Sequence, residues 1–175
     1  SVFNVGDVML DTFTQMSRMA ETRSSILRKL GLEIEEYNLA TVHRAINTDN
    51  PTRLAEIIRG LASSDLPMVF PVHPRTKKMM NAANLDSVIQ KATNLLITEP
   101  VGYFDMVELE KNAHVIVTDS GGVTREAYFA GVPCIIVDDT TAWIDLVHSG
   151  WSHLVGADAT QIAGLLKTAV RPNEK

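Results

Sequence analysis

The chain has 175 residues, which at ~150 residues per domain is one domain with a short remainder. Hydrophobic residues at 45% and charged residues at 21% exclude wholesale disorder, and the single cysteine, Cys134, excludes a disulfide framework or a multi-cysteine zinc site. A net charge of −5 with no basic cluster beyond Arg75, Lys77 and Lys78 argues against nucleic acid as a partner, and apolar runs of at most four or five residues exclude a membrane-spanning helix.

In chain order, the opening SVFNVGDVMLD has neither a basic lead nor an apolar block, so no signal peptide is expected and the expected location is cytoplasmic. VFNVGD reads as a strand. Phe13, Met16, Met19, Ile26, Leu27 and Leu30 then predict one long helix ending at Gly31, and LEIEE is a lead-in loop. Strands are expected at Tyr37 to Val42, Met68 to Val72, Leu95 to Ile97, Val115 to Thr118 and Cys134 to Val137. Their Val, Ile and Leu content without polar alternation is that of strands covered on both faces.

Between the strands, Pro51 to Ala62 puts Leu54, Ile57, Ile58 and Leu61 on one stripe behind an Asn50 cap. Gly122 to Ala130 is a helix stopped by Gly131 and Pro133. Thr141 to Ser149 carries Trp143, Leu146 and Val147, and Thr160 to Ala169 carries Ile162, Leu165 and Leu166 behind Asp158 or Thr160. Arg171 to Lys175 is a polar tail. Strand and helix alternating in this way predict an α/β fold with an open, doubly wound parallel sheet of Rossmann type.

In such a sheet ligands bind beyond the carboxyl ends of the strands. Three segments lie there. VTDSGGVTREA runs a strand into Asp119, Ser120, Gly121 and Gly122, with Glu126 one helical turn on. Two glycines and a helix N-terminus suit a phosphate, and a carboxylate one turn up suits sugar hydroxyls; a plain strand–helix turn with a Ser or Asp cap is the alternative. ATVHRAIN places His43 and Arg44 at a strand end, where they meet an anion or merely cap the turn. PVHPR places His73 between two prolines that shape the loop without any ligand. His114, His148 and His153 are scattered, Trp143 and Trp151 read as packing residues, and Cys134 reads as an inert buried thiol. Neither HExxH nor GxSxG occurs, so metal and serine hydrolysis lack support.

The stretches TVHRAIN, VFPVHPRT, EPVGYFDMVELE, TDSGGVTREAYFAGVPCIIV and TTAWIDLVHSGWSHLVGAD, in this order, resemble the carboxyl-terminal half of the non-hydrolysing UDP-N-acetylglucosamine 2-epimerases. VFNVGDVMLDTF resembles that family's segment crossing between its two halves. The likeness covers essentially the whole chain, and VGYFDM and TAWIDLV are its more specific parts. It implies a glycosyltransferase-B type enzyme with UDP-sugar held between two Rossmann-like halves. Here that means a crossing strand and helix over residues 1–32, a UDP-binding domain over 33–170 and a tail over 171–175.

The implied reaction is inversion at C2 by elimination and re-addition of UDP, supplying a cell-surface polysaccharide precursor. No metal or redox cofactor is implied. Carried over by position, Ser120, Gly121 and Gly122 would cradle the diphosphate and Glu126 would hold the ribose. His43 would assist catalysis near the phosphates, the VGYFDM loop through Val101 and Met106 would line the uracil, and His73 with Arg44 would serve a substrate or allosteric subsite. The implied partners are a UDP-sugar, the absent amino-terminal domain and a second copy in a homodimer; neither nucleic acid nor a membrane is expected. The sequence departs from the family at Ile46, where HRxEN has Glu, at Ala142, where Glu is usual, and at Asp138, where Arg is usual; Asp for Arg near a diphosphate changes the local charge by two units and should weaken anion binding. The family's remaining catalytic groups lie in the half not present, so the chain by itself is expected to be inactive. The alternatives are a degenerate, non-catalytic module and the donor half of a glycosyltransferase.

Overall fold

The computed structural model describes residue 3 and residues 5–172. The expected opening strand falls partly outside these residues, and the described part of it is not in a sheet. Most of the expected tail likewise lies outside them. The expected long helix is two helices, α1 (Val8–Arg23) and α2 (Ile26–Leu30). Ser24 breaks it: its backbone is extended, and its hydroxyl donates to Asp105 at 2.6 Å while accepting from the Ile26 N–H at 3.1 Å. A serine that finds such partners competes with the helical ladder. Gly31, at φ 65°, closes α2 in the left-handed conformation.

Six parallel strands follow: β1 (Asn38–Thr41), β2 (Met68–Pro71), β3 (Leu95–Thr98), β4 (Ile116–Thr118), β5 (Cys134–Ile136) and β6 (Ser152–Leu154). Their order, β3-β2-β1-β4-β5-β6, is the doubly wound arrangement expected. The strand β6 was not expected. It is three residues long, opens on Ser152 and His153, and offers no apolar run to read; pairing with β5 makes it a strand.

The register puts Val69, Leu39, Ile116 and Cys134 in line across β2, β1, β4 and β5, all facing one side. There they meet Ile26 of α2, Leu109 of α7 (Tyr103–Asn112) and Ala127 of α8 (Gly121–Ala130). Ala40, Val117 and Ile135 face the other side, against Leu54, Ile57 and Ile58 of α4 (Pro51–Ala62) and Ile162 of α10 (Ala159–Thr168). Phe13 and Ala20 bind α1 to Val107 and Phe129 as an outer layer. Fully burying each such aliphatic chain contributes about 1.5–3 kcal/mol.

Caps act as read for α4 and α10: Asn50 accepts from the amides of Thr52 and Arg53, and Asp158 from those of Thr160 and Gln161. Four helices were not expected: α3 (Ala45–Thr48), α5 (Pro74–Ala82), α6 (Asp86–Lys91) and α7. The helix α9 (Ile144–His148) is shorter than expected, because Thr141 Oγ1 takes the Trp143 N–H and holds that stretch out of helix.

A Cβ on Gly60 of α4 would lie 2.8 Å from Ile162 Cβ, close to the backbone of α10. The expected result for Gly60→Ala is a lower thermal midpoint by circular dichroism. Overpacking at about 1–3 kcal/mol outweighs the ~1 kcal/mol that Ala gains over Gly in a helix. An unchanged or raised midpoint would show that α10 moves away freely.

Candidate functional site

The strand order reverses between β1 and β4, and the crevice at such a switch point is where open sheets bind ligands. The chain leaves β1 through Val42, His43 and Arg44 and leaves β4 through Asp119 and Ser120, so the segments singled out from sequence meet there.

Asp119 joins them. Its carboxylate is almost fully buried and accepts the His43 N–H at 3.1 and 3.0 Å, the Arg44 N–H at 2.9 Å and the Asn47 side-chain N–H at 3.1 Å. Asn47 also donates to the Val137 carbonyl at 2.8 Å, which ties in the end of β5. His43 Nδ1 lies 3.3 Å from Asp119 Oδ1 while half of the side chain is exposed. The ring thus sets one nitrogen against the buried carboxylate and leaves half of the side chain open to solvent.

At the N-terminus of α8, Ser120 caps the helix by accepting the Val123 N–H at 3.4 Å. The amides of Gly121 and Gly122 have no protein partner among the described residues. Free amides at the positive end of a helix dipole form an anion site. A cavity of about 260 Å³ opens there, lined by Arg44, Ser120, Gly121, Thr124, Asp138 and Trp143 among others. Trp143 was expected only to pack; its Nε1–H donates to the Gly121 carbonyl at 2.8 Å, and the Arg125 guanidinium stacks on its ring at 4.5 Å. The loop after β5 is thereby pinned over the turn.

Glu126 is half-buried and accepts the Tyr103 hydroxyl at 2.7 Å. Burial raises its pKa, partly offset by that hydrogen bond. Tyr103 is pushed up by its own burial and by the Glu126 carboxylate. Behind them, Glu110 is fully buried with neither carboxyl oxygen hydrogen-bonded, and burial followed by the charge of Glu126 raises its pKa well above the ordinary 4.5.

The structure brings Arg44, Ser120 and Gly121 onto one cavity, with Gly122 on the same first turn and Glu126 one turn on; His43 does not line the cavity and joins it through Asp119. VGYFDM is not a loop throughout: helix α7 starts at Tyr103. Val101 and Met106 pack against the core on the α2 side of the sheet and do not line this cavity. His73 caps α5, its Nδ1 accepting the Arg75 N–H at 3.2 Å. Cys134 is buried, its thiol pushed up to about 12 chiefly by burial. Of the departures, Ile46 is exposed, Ala142 lines the cavity, and Asp138 pairs with Arg44. The sequence gives no separate role to Asp119, Tyr103 or Glu110: Asp119 stands in the turn read for its glycines and serine, Tyr103 in the VGYFDM loop, and Glu110 beyond that loop in a stretch with no expected element. Among the described residues no three His, Cys, Asp or Glu side chains are grouped to hold a metal, and no helix is long and apolar enough to cross a membrane.

The family of UDP-N-acetylglucosamine 2-epimerases matches residues 1–175. The chain belongs to that family. It is 44% identical over 162 residues to a UDP-N-acetylglucosamine 2-epimerase homolog of Methanococcus maripaludis, covering 92% of the chain and 45% of that protein. It is 36% identical over 172 residues to the UDP-2,3-diacetamido-2,3-dideoxy-D-glucuronate 2-epimerase of Pseudomonas aeruginosa, covering 97% and 46%. The crystal structure of the Methanocaldococcus jannaschii UDP-GlcNAc 2-epimerase in complex with UDP-GlcNAc and UDP superposes with a TM-score of 0.86 at 36% identity, over 99% of this chain and 48% of that one. The chain thus spans about half the length of the relatives it matches. For this epimerase-family chain, the match extends from the sheet through the segments that form the switch-point site.

Proposed function

We propose that this chain is the nucleotide-binding half of a UDP-N-acetylglucosamine 2-epimerase, acting on a UDP-sugar when joined to an amino-terminal half. The observation that carries the reading is the pair of free amides at Gly121 and Gly122 opening on a cavity at the switch point, beside His43 and Arg44. A related enzyme's complex with UDP-GlcNAc and UDP supports it. Residues 1–32 act as the segment crossing between the halves and 33–170 as the nucleotide domain, in the cytoplasm; the packing of α1 on α7 and α8 supports a firm junction.

In this reading the diphosphate rests on the α8 amides and Ser120. The ribose hydroxyls take the place of Tyr103 as donors to Glu126, and the VGYFDM segment faces the base. Epimerisation breaks the C2–H bond and the C1–oxygen bond to UDP, leaving a C1–C2 double bond, and re-addition reverses both with the opposite hand at C2. Charge then builds on the departing diphosphate. Preorganised amides, Arg44 and the half-exposed ring of His43 are the groups this chain offers to stabilise it. The base that takes the C2 proton comes from the other half.

Titration calorimetry of the chain with UDP tests the reading. Binding is expected, and Glu126→Ala is expected to weaken it at least tenfold, the effect of losing a charged hydrogen bond to ligand. No heat at millimolar UDP would count against the site. Binding indifferent to Glu126→Ala would move the ribose elsewhere.

A further inference from the structure

The cavity wall carries an unusual charge arrangement for a phosphate site. Two buried carboxylates, Asp119 and Asp138, face it, against one guanidinium, that of Arg44. Asp119 is saturated by backbone and amide donors. Asp138 is not: one oxygen accepts the Asp139 N–H at 2.7 Å and the other takes Arg44 Nη1 at 2.9 Å. The Asp138 side chain is 7% exposed while that of Arg44 is 49% exposed, so a half-exposed cation is held by a buried anion. Arg44 Nη2 comes within 3.9 Å of where a Cβ on Gly121 would sit. The pair therefore spans the mouth of the anion site from the end of β1 to the end of β5.

We propose that Asp138 is a specificity-determining residue: by neutralising Arg44 and adding negative charge to the wall, it keeps bare phosphate and diphosphate out, so that only a diphosphate carrying a nucleoside occupies the turn. This rests on the nucleotide reading above. An inorganic anion meets two free amides and a cation already paired, beside a carboxylate that repels it. A nucleoside diphosphate gains further contacts at Glu126 and along α7, and these offset the electrostatic cost. Asp138 discriminates by opposing the part that the two ligands share.

The test is calorimetry of the wild-type chain, Asp138→Asn, Arg44→Met and the double variant, each with UDP and with inorganic pyrophosphate, after circular dichroism shows the wild-type fold. Asn keeps the shape of Asp138 and an oxygen for the Asp139 amide, and Arg44 is half exposed, so both variants are expected to fold. The wild type is expected to bind UDP and not pyrophosphate at millimolar concentration. Asp138→Asn is expected to tighten UDP roughly tenfold and to bring in pyrophosphate, as removal of one charge beside a partly buried anion does. Arg44→Met in the Asp138→Asn background is expected to erase most of that gain.

Wild-type binding of UDP with no gain, or a loss, in Asp138→Asn would overturn the proposal and make Asp138 a simple support for Arg44. Pyrophosphate bound by the wild type as tightly as UDP would overturn it too. If no variant bound either ligand, the nucleotide reading itself would fall and this proposal with it.

Discussion

Asp119→Asn is expected to lower the stability of the chain by about 3–5 kcal/mol, the cost of removing one partner from a buried charged network. Three groups converge on this carboxylate: the backbone amides of His43 and Arg44 and the side-chain amide of Asn47, all within 3.1 Å. An Asn at 119 would offer one acceptor oxygen where two are used and turn an N–H₂ group toward donors. Buried donors left unmatched cost about 1–3 kcal/mol each. The residues it joins leave β1, β4 and, through Asn47, β5, so the loss would reach every strand end that forms the site. Urea unfolding should show a lower midpoint at an unchanged slope, and UDP binding should fall with it because His43 and Arg44 lose their anchor. A loss below ~1 kcal/mol would mean that water reaches the amides and that the network is not the clamp described here.

Glu110→Met is expected to act in the opposite direction, raising stability by about 1–3 kcal/mol near pH 8, because it replaces a buried, unpartnered carboxyl by an apolar chain of similar length. Glu110 sits on α7 with both oxygens unmatched, and its pKa is raised by burial first and by Glu126 second. A carboxyl whose pKa is higher in the folded state binds more protons folded than unfolded. Its contribution to stability is therefore greatest at low pH and is lost as pH rises above the ordinary 4.5 toward the raised value. Wild type should accordingly lose stability between pH 5 and pH 8 relative to Glu110→Met, and the gap in thermal midpoint should widen over that range. Glu110→Met less stable than wild type at both pH values would show that the carboxyl has partners in solution. Keeping a destabilising carboxyl in the layer beneath Glu126 is a local conflict of the kind that marks functional regions.

Much of the fold was legible in the sequence because its signals are local. Asn50, Pro51 and the Leu54–Ile57–Ile58–Leu61 stripe are sufficient for α4, whose observed bounds coincide with those expected. The buried strands announced themselves as short Val, Ile and Leu runs with Gly or Pro nearby. The helices that went unread fail on the same criterion. Residues 74–82 carry Lys77, Lys78 and Asn81 with few apolar positions, and α7 mixes Asp105, Glu108 and Glu110 into its apolar stripe. Their helicity is decided by packing against the sheet and its neighbours rather than by pattern.

The site divides in the same way. A strand running into Asp119-Ser120-Gly121-Gly122 and then a helix already specifies free amides and a cap, since a helix N-terminus leaves its first amides unpaired whatever surrounds it. By itself the sequence determined the doubly wound class and the glycine turn at the head of a helix, and it offered His43, Arg44 and Glu126 as candidates. Only the tertiary structure decided their partners. Asp119 and His43 lie 76 positions apart, Arg44 and Asp138 94, and Tyr103 and Glu126 23. Contacts over such separations follow from the order in which strands are laid side by side, because adjacency in a parallel sheet brings together the carboxyl ends of strands remote in the chain. No residue spacing encodes that order, so the charge on Arg44 was visible from the start, whereas its pairing with Asp138 emerged only with the sheet.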